Sequence, residues 1–202
     1  MDKQTAKLIA RIAENLPSGM SPEEMQKWID NPKELQEALR KALYSIEFKV
    51  FKTLKLGTDP RTADQFRKAL KDGGFKISDW ADDILGKTSF TTEETDVELV
   101  IMSVRELGFK SGASRKDIYE RAQALDLELC PAEVGPRLRL QYKDQPNGEW
   151  LLIAMEPITD SGGDLDVFDV GRDGRDLWLL GHDGHPDDVW DAVDRWVFCR
   201  HK

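Results

Sequence analysis

Residues 177 to 202 read LWLLGHDGHPDDVWDAVDRWVFCRHK, and this closing stretch sets the reading of the whole chain. Three tryptophans, Trp178, Trp190 and Trp196, stand in it like posts. Between them run Gly181, His182, Asp183, Gly184, His185, Asp187, Asp188, Asp191 and Asp194. Apolar posts with a polar, turn-prone filling predict a fixed frame that displays a changeable surface. Leu177 to Leu180 and Arg195 to Cys199 are predicted to be strands that flank a loop.

The filling is unusual in what it lacks. From Pro157 to Lys202 there are eleven aspartates and no glutamate or asparagine, and the only lysine is the last residue. Turn chemistry accounts for part of this, because a short Asp side chain bonds nearby backbone amides. Asp160, Asp164, Asp166, Asp169 and Asp173 are dense enough to raise calcium binding. Their spacing fits no twelve-residue calcium loop and no terminal bidentate glutamate follows, so no metal ligand is assigned. His182, Asp183 and His185 form a candidate metal or acid–base cluster, but lack a third ligand at a recognisable spacing. There is no Gly-x-Ser-x-Gly elbow, no phosphate-binding glycine loop and no cysteine with a plausible histidine partner. No catalytic residue and no cofactor are assigned.

The length of 202 residues suits one domain, or one domain with a small helical appendage, and a core that needs no staples. The net charge of -9 argues against nucleic-acid binding, which calls for a basic face, and against an anionic membrane surface. Lys49, Lys52 and Lys55 are the only basic stripe. No apolar run reaches membrane length, and the N-terminus has no apolar signal region. The expectation is a cytoplasmic protein, or one exported without a classical signal peptide. Two cysteines, Cys130 and Cys199, are too few for a disulfide framework, and the sequence leaves their pairing open.

The chain then divides into three expected segments. Residues 1 to 45 are helical: one helix over 3 to 16, a second from Pro22 to Ile29 opened by Ser21, and a third from Pro32 to Leu43. Residues 46 to 95 form a small strand–helix–helix segment. Its strand covers 46 to 56 with a shift at Phe51, and Thr62 and Ser78 cap its helices. Residues 96 to 202 form the main domain. A strand from Asp96 to Val104 leads to a helix from Arg115 to Leu125, capped by Ser114. Pro131 starts a second helix, and Leu138, Leu140 and Tyr142 fit either its continuation or a strand. Glu149 to Met155 and Asp164 to Val170 are further strands.

From about Phe51 the chain resembles an uncharacterised bacterial protein family of candidate-phylum type. The resemblance rests on KTLKLGT, TADQFRKALKDGGFKISDWADDILGK, the long run from VRELGFKSG to MEPITDS, and LWL with PDDVWDAVDRWVF. The end of the chain is similar to the variable region of proteins diversified by diversity-generating retroelements. Such regions keep fixed aromatic posts, while the intervening codons are recoded at adenines, often in Asn codons. Recoding the first two bases gives Asp, His, Gly, Val, Leu, Ser, Ala or Arg, but never Glu, Lys, Gln, Met or Trp. Leu180 to His185, Asp187 to Val189 and Asp191 to Arg195 obey that restriction, and Trp190 stands as a fixed post.

Variable proteins of this kind resemble one another in using a C-type-lectin fold. The stretch LELCPAEV also looks like the lead into the second helix of the formylglycine-generating-enzyme branch of that fold. It departs from that branch's pattern in having Cys130 before Pro131 and no tryptophan after Glu133, and no enzymatic residue carries over. The resemblance therefore implies an α+β chain: a helical N-terminal segment, then a C-type-lectin-like domain with a β-rich C-terminus and a variable region at about 168 to 198. It implies a non-enzymatic display protein whose ligand-binding face comprises Asp169, Leu180, Gly181, His182, Asp183, His185, Asp188, Asp191, Val193 and Asp194. The partner would be a protein or cell-surface ligand, and a basic one suits the acidic face. Two alternatives stand beside this reading. One is an adaptor or structural protein with a merely solvated acidic C-terminus. The other is a metal-dependent hydrolase using His182, Asp183 and His185.

Overall fold

The computed structural model describes residues 21–35 and 48–200, which fall into two units divided between Glu47 and Phe48. In the first unit, α1 (Pro22–Asp30) starts just after Ser21, whose carbonyl accepts the Met25 N–H at 3.0 Å. The helix expected over 3 to 16, and the part of the third helix beyond residue 35, lie outside the described residues.

In the second unit the residues that read as caps act as caps. Thr62 Oγ1 accepts the Gln65 N–H ahead of α2 (Ala63–Asp72). Ser78 Oγ accepts the Ala81 N–H ahead of α3 (Asp79–Lys87), and Ser114 Oγ accepts the Asp117 N–H ahead of α4 (Arg115–Gln123). Each bond satisfies a donor that a helix start leaves unpaired. The second helix of the main segment, α5 (Val134–Gln141), carries Leu138 and Leu140, so the ambiguity there resolves as helix.

Among the described residues eleven strands complete the unit: β1 (Val50–Leu56), β2 (Lys76–Ile77), β3 (Thr95–Ser103), β4 (Ala113–Ser114), β5 (Leu127–Glu128), β6 (Trp150–Ile153), β7 (Ile158–Thr159), β8 (Leu165–Asp173), β9 (Asp176–Asp183), β10 (Val189–Trp190) and β11 (Arg195–Arg200). Seven of them run β1-β3-β11-β6-β8-β9-β2 across one large sheet, with β5 beside β11 and β7 beside β8. The pairings are antiparallel except β11 with β6 and β9 with β2. The strands β4 and β10 form a separate two-stranded sheet. The architecture is therefore mixed α+β, dominated by a mostly antiparallel sheet.

Two expectations are corrected here. Residues 46 to 95 are not a separate segment from 96 to 202, because β1 lies against β3 over most of its length. Its register shifts between Val50 and Lys52, which is the irregularity visible in the sequence at Phe51. The strand expected to stop at Leu180 runs on to Asp183, because Gly181, His182 and Asp183 pair with Phe168, Val167 and Asp166 of β8. Backbone ladders are indifferent to side-chain polarity, so a polar run continues the strand.

The sheet's two faces are covered differently. Leu151, Ile153, Phe168, Val170, Leu179 and Val197 point to the face that carries α2, α3 and α5, where the core is densest. Close approach on this face is set by glycines. A Cβ on Gly135 would strike Phe168, and one on Gly181 would strike Trp80 and Ala81. On the other face α4 covers only the β3–β11 end. There Tyr119 packs edge-on against Trp196 at 5.5 Å, and its hydroxyl donates to the Met155 carbonyl at 3.0 Å. The β6–β8–β9 end of that face is left for the loops. Among the described residues no helix is long and apolar enough to cross a membrane.

Candidate binding concavity

Strand alternation fixes which side chains reach the open end of the sheet. Register places Trp150 opposite Gly171, Leu152 opposite Asp169, and Asp169 opposite Leu180. With His182 two residues further along β9, these side chains floor a concavity of about 1080 Å³. Gly171 has a specific part in it: a Cβ there would run into the Trp150 ring, so glycine lets the indole lie across β8. Trp150 remains 41% exposed, while Leu151, Leu152 and Ile153 after it are buried.

At the centre of the floor, Asp169 is buried to 2% exposure. Its Oδ1 accepts the Leu151 N–H at 3.2 Å, and its Oδ2 lies 3.4 Å from His182 Nδ1. The bond to Asp169 raises the histidine's pKa, and burial opposes the rise. The imidazole sits 5.2 Å from the Trp190 ring, which in turn meets the buried Trp196 edge-on at 5.2 Å.

Two rims close the concavity. The first is residues 146 to 149. Gly148 N–H donates to Arg172 O at 2.9 Å, Gly174 N–H donates to Asn147 Oδ1 at 2.6 Å, and Arg172 Nη1 donates to Gln145 O at 2.8 Å. Arg139, fully buried, braces the same region through Gln145 Oε1 (2.6 Å), Gly171 O (3.1 Å) and the Tyr142 carbonyl. Desolvation lowers its pKa to about 10. Glu149 ends this rim, accepting from Arg195 Nη1 at 2.5 Å and from the Tyr142 hydroxyl at 2.7 Å.

The second rim is the segment from Gly184 to Asp194, and it is held by its main chain. Its carbonyls at Pro186, Asp188, Ala192 and Asp194 accept N–H groups of Lys116, Arg115, Arg105 and Val104 at 2.9–3.0 Å. Val189 and Trp190 pair with Ser114 and Ala113. Gly112, at φ +99°, allows the approach, because a Cβ on it would stand 2.6 Å from the Trp190 carbonyl oxygen. Asp191 and Asp194 close the final turn, Asp191 N–H donating to Asp194 Oδ2 at 2.7 Å.

The concavity brings together six of the ten residues expected on the binding face: Asp169, Leu180, His182, Asp191, Val193 and Asp194. It does not gather the other four. Gly181 and Asp183 point to the other side of β9, where Gly181 is jammed under Trp80 and Asp183 shares a smaller hollow with Trp80, Asp160, Asp164 and Asp166, at which His182 also appears. His185 and Asp188 sit in the turn after β9, with the His185 N–H donating to Asp183 Oδ1 at 3.0 Å. The proposed His182, Asp183 and His185 cluster therefore does not converge: His182 faces Asp169 and Trp190, while Asp183 and His185 meet in the turn. Trp196 is the buried post that was expected, whereas Trp190 lines the site. Sequence reasoning missed Trp150, Glu149 and Arg195 as lining residues. Trp150 read as one more apolar residue of a strand, and its only warning was its place next to Glu149 at the strand's first position.

The hollow on the other side is strongly acidic. Burial, followed by the neighbouring Asp160 and Asp183, pushes the Asp166 carboxyl up to about 6. The neighbouring Asp183 carboxyl raises Asp188, while the His185 N–H lowers Asp183. Among the described residues no group of three or more His, Cys, Asp or Glu side chains is placed to hold a metal ion. Comparison of the chain with protein-family models, with curated proteins and with solved structures returned no match.

Proposed function

We propose that the chain is a non-enzymatic binding protein whose concavity is a diversified display surface for a protein or cell-surface ligand. One observation carries the reading. The rim from Gly184 to Asp194 is fixed by hydrogen bonds to its own backbone, while Val189, Asp191 and Val193 point their side chains into solvent or the concavity. Main-chain anchorage holds whatever side chains are present, so these positions accept change without cost to the fold. They are also the positions whose residue types obey the adenine-recoding restriction. A C-type-lectin-like domain is supported by the order strand, helix, helix and strands from β3 to β11, in which first and last strands lie side by side.

The coding DNA tests the diversification. A near-repeat of the segment coding for residues 180 to 195, beside a reverse-transcriptase gene and differing from it at adenines, is the expected finding. If genomic sequence around the gene holds no such repeat, the adenine-recoding part of the reading falls.

A further inference from the structure

We propose, on the reading that this concavity is the binding face, that it receives a basic side chain of a partner protein, with Trp150 as the constant platform under it. Charge points first in this direction. Glu149, Asp169, Asp191 and Asp194 line the concavity against Arg195 and His182. Arg195 is taken up by Glu149 at 2.5 Å, and His182 faces Asp169. Among the described residues Asp191 and Asp194 form no ion pair with a lysine or arginine, although they share the hollow. An anionic ligand meets like charge there. An uncharged apolar ligand strips water from these carboxylates and gives nothing back. A cation compensates them.

The second observation is independent of charge. Trp150 is a large aromatic ring kept half-wet at the start of a strand that is otherwise buried, and Gly171 exists in a form that lets it lie there. An exposed indole lining the same concavity as carboxylates that no lysine or arginine pairs is an arrangement that attracts ammonium and guanidinium groups through its π-face. Trp150 also lies outside the variable region at about 168 to 198. The indole therefore stays the same in every version of the rim, while the rim residues, Asp191 and Asp194 among them, change from version to version. The constant indole supplies a π-face, and Asp191 and Asp194 in the rim supply the charge that suits this copy to a basic side chain.

The test uses the full chain and two small probes, acetyl-Gly-Arg-Gly-amide and its uncharged citrulline counterpart. Indole N–H resonances are followed by NMR, with assignment by Trp150→Leu and Trp80→Leu. The expected result is a saturable shift of the Trp150 resonance with the arginine probe. The citrulline probe, Trp150→Leu and Asp191→Asn/Asp194→Asn should each bind roughly fivefold more weakly. Equal binding of the two probes, or a response centred on Trp80 above the second acidic hollow, overturns the assignment. A library randomised at residues 187, 189, 191 and 193, selected against unrelated proteins, separates this from the display reading. Binders without an arginine response remove only the basic side chain. An arginine response with a library that yields no binder removes the diversified face and leaves the cation site standing.

Discussion

Replacing Gly112 by alanine should damage the molecule more than replacing four residues of the displayed rim together. Gly112 adopts φ +99°, a region that costs an alanine about 1–2 kcal/mol. Its new Cβ would stand 2.6 Å from the Trp190 carbonyl oxygen, and that neighbour is backbone, so the rim itself must move. Moving it weakens the β4–β10 pairing and the Arg115 N–H bond to the Asp188 carbonyl, each worth about 1 kcal/mol. The expected loss is about 3 kcal/mol. The comparison variant carries Asp187→Ser, Val189→Thr, Asp191→Ser and Val193→Thr. Val189 and Val193 are 74% and 68% exposed, and the bonds at Pro186, Asp188, Ala192 and Asp194 use backbone atoms only. Each change should stay within about 0.5 kcal/mol. Urea unfolding followed by circular dichroism reads both variants. With a slope of about 2 kcal/mol per molar, Gly112→Ala should lower the midpoint by about 1.5 M, while the rim variant stays close to the parent. A rim variant that unfolds as early as Gly112→Ala would show that those side chains hold the loop, and the argument from backbone anchorage would fail.

Three further outcomes follow from the geometry. Asp166, raised to about 6 from a carboxylate's usual ~4, makes its full contribution to stability below pH ~4 and loses it as pH rises through about 6. Asp166→Asn should therefore stabilise the chain at pH 7.5 by about 1–2 kcal/mol, less than the full shift implies because Asp183 beside it is exposed and screened. Thermal melts at the two ends of that range should show no gain at pH 4, and a gain of equal size at both would refute the cause. Cys130 and Cys199 are buried, free and 3.1 Å apart at sulfur, with burial first and Cys199 second raising the Cys130 thiol. Diamide should join them slowly, removing the mass of two hydrogens and stabilising the chain by about 4 kcal/mol. Thiols that both stay open to alkylation after treatment would contradict this. Gly171→Ala should push the Trp150 ring off β8, costing about 1–3 kcal/mol and shifting tryptophan emission. Emission and midpoint both unchanged would mean the ring does not depend on that glycine.

What the sequence shows of this fold is mostly what is local, and what it hides is mostly parity and pairing. Thr62, Ser78 and Ser114 announce their helices because a cap needs only its own hydroxyl and the next turn's N–H. The shift at Phe51 shows in the chain because a bulge changes which residues are apolar on either side of it. The joining of β1 to β3 leaves no local trace, since it depends on strands far apart agreeing on a shared face. The candidate site suffers from the same blindness in a sharper form. The stretch from Leu180 to Asp183 looks uniform when read as a polar filling. Once β8 holds it as a strand, alternate residues part company: Leu180 and His182 enter the concavity, and Gly181 is driven under Trp80. Residue type obeying the recoding restriction is thus not sufficient for display. Gly181 satisfies the restriction, yet any side chain larger than hydrogen would push against the α3 backbone. A diversified copy of this chain should therefore keep glycine at 181 while Val189, Asp191 and Val193 vary. That pattern distinguishes recoding filtered by packing from recoding alone.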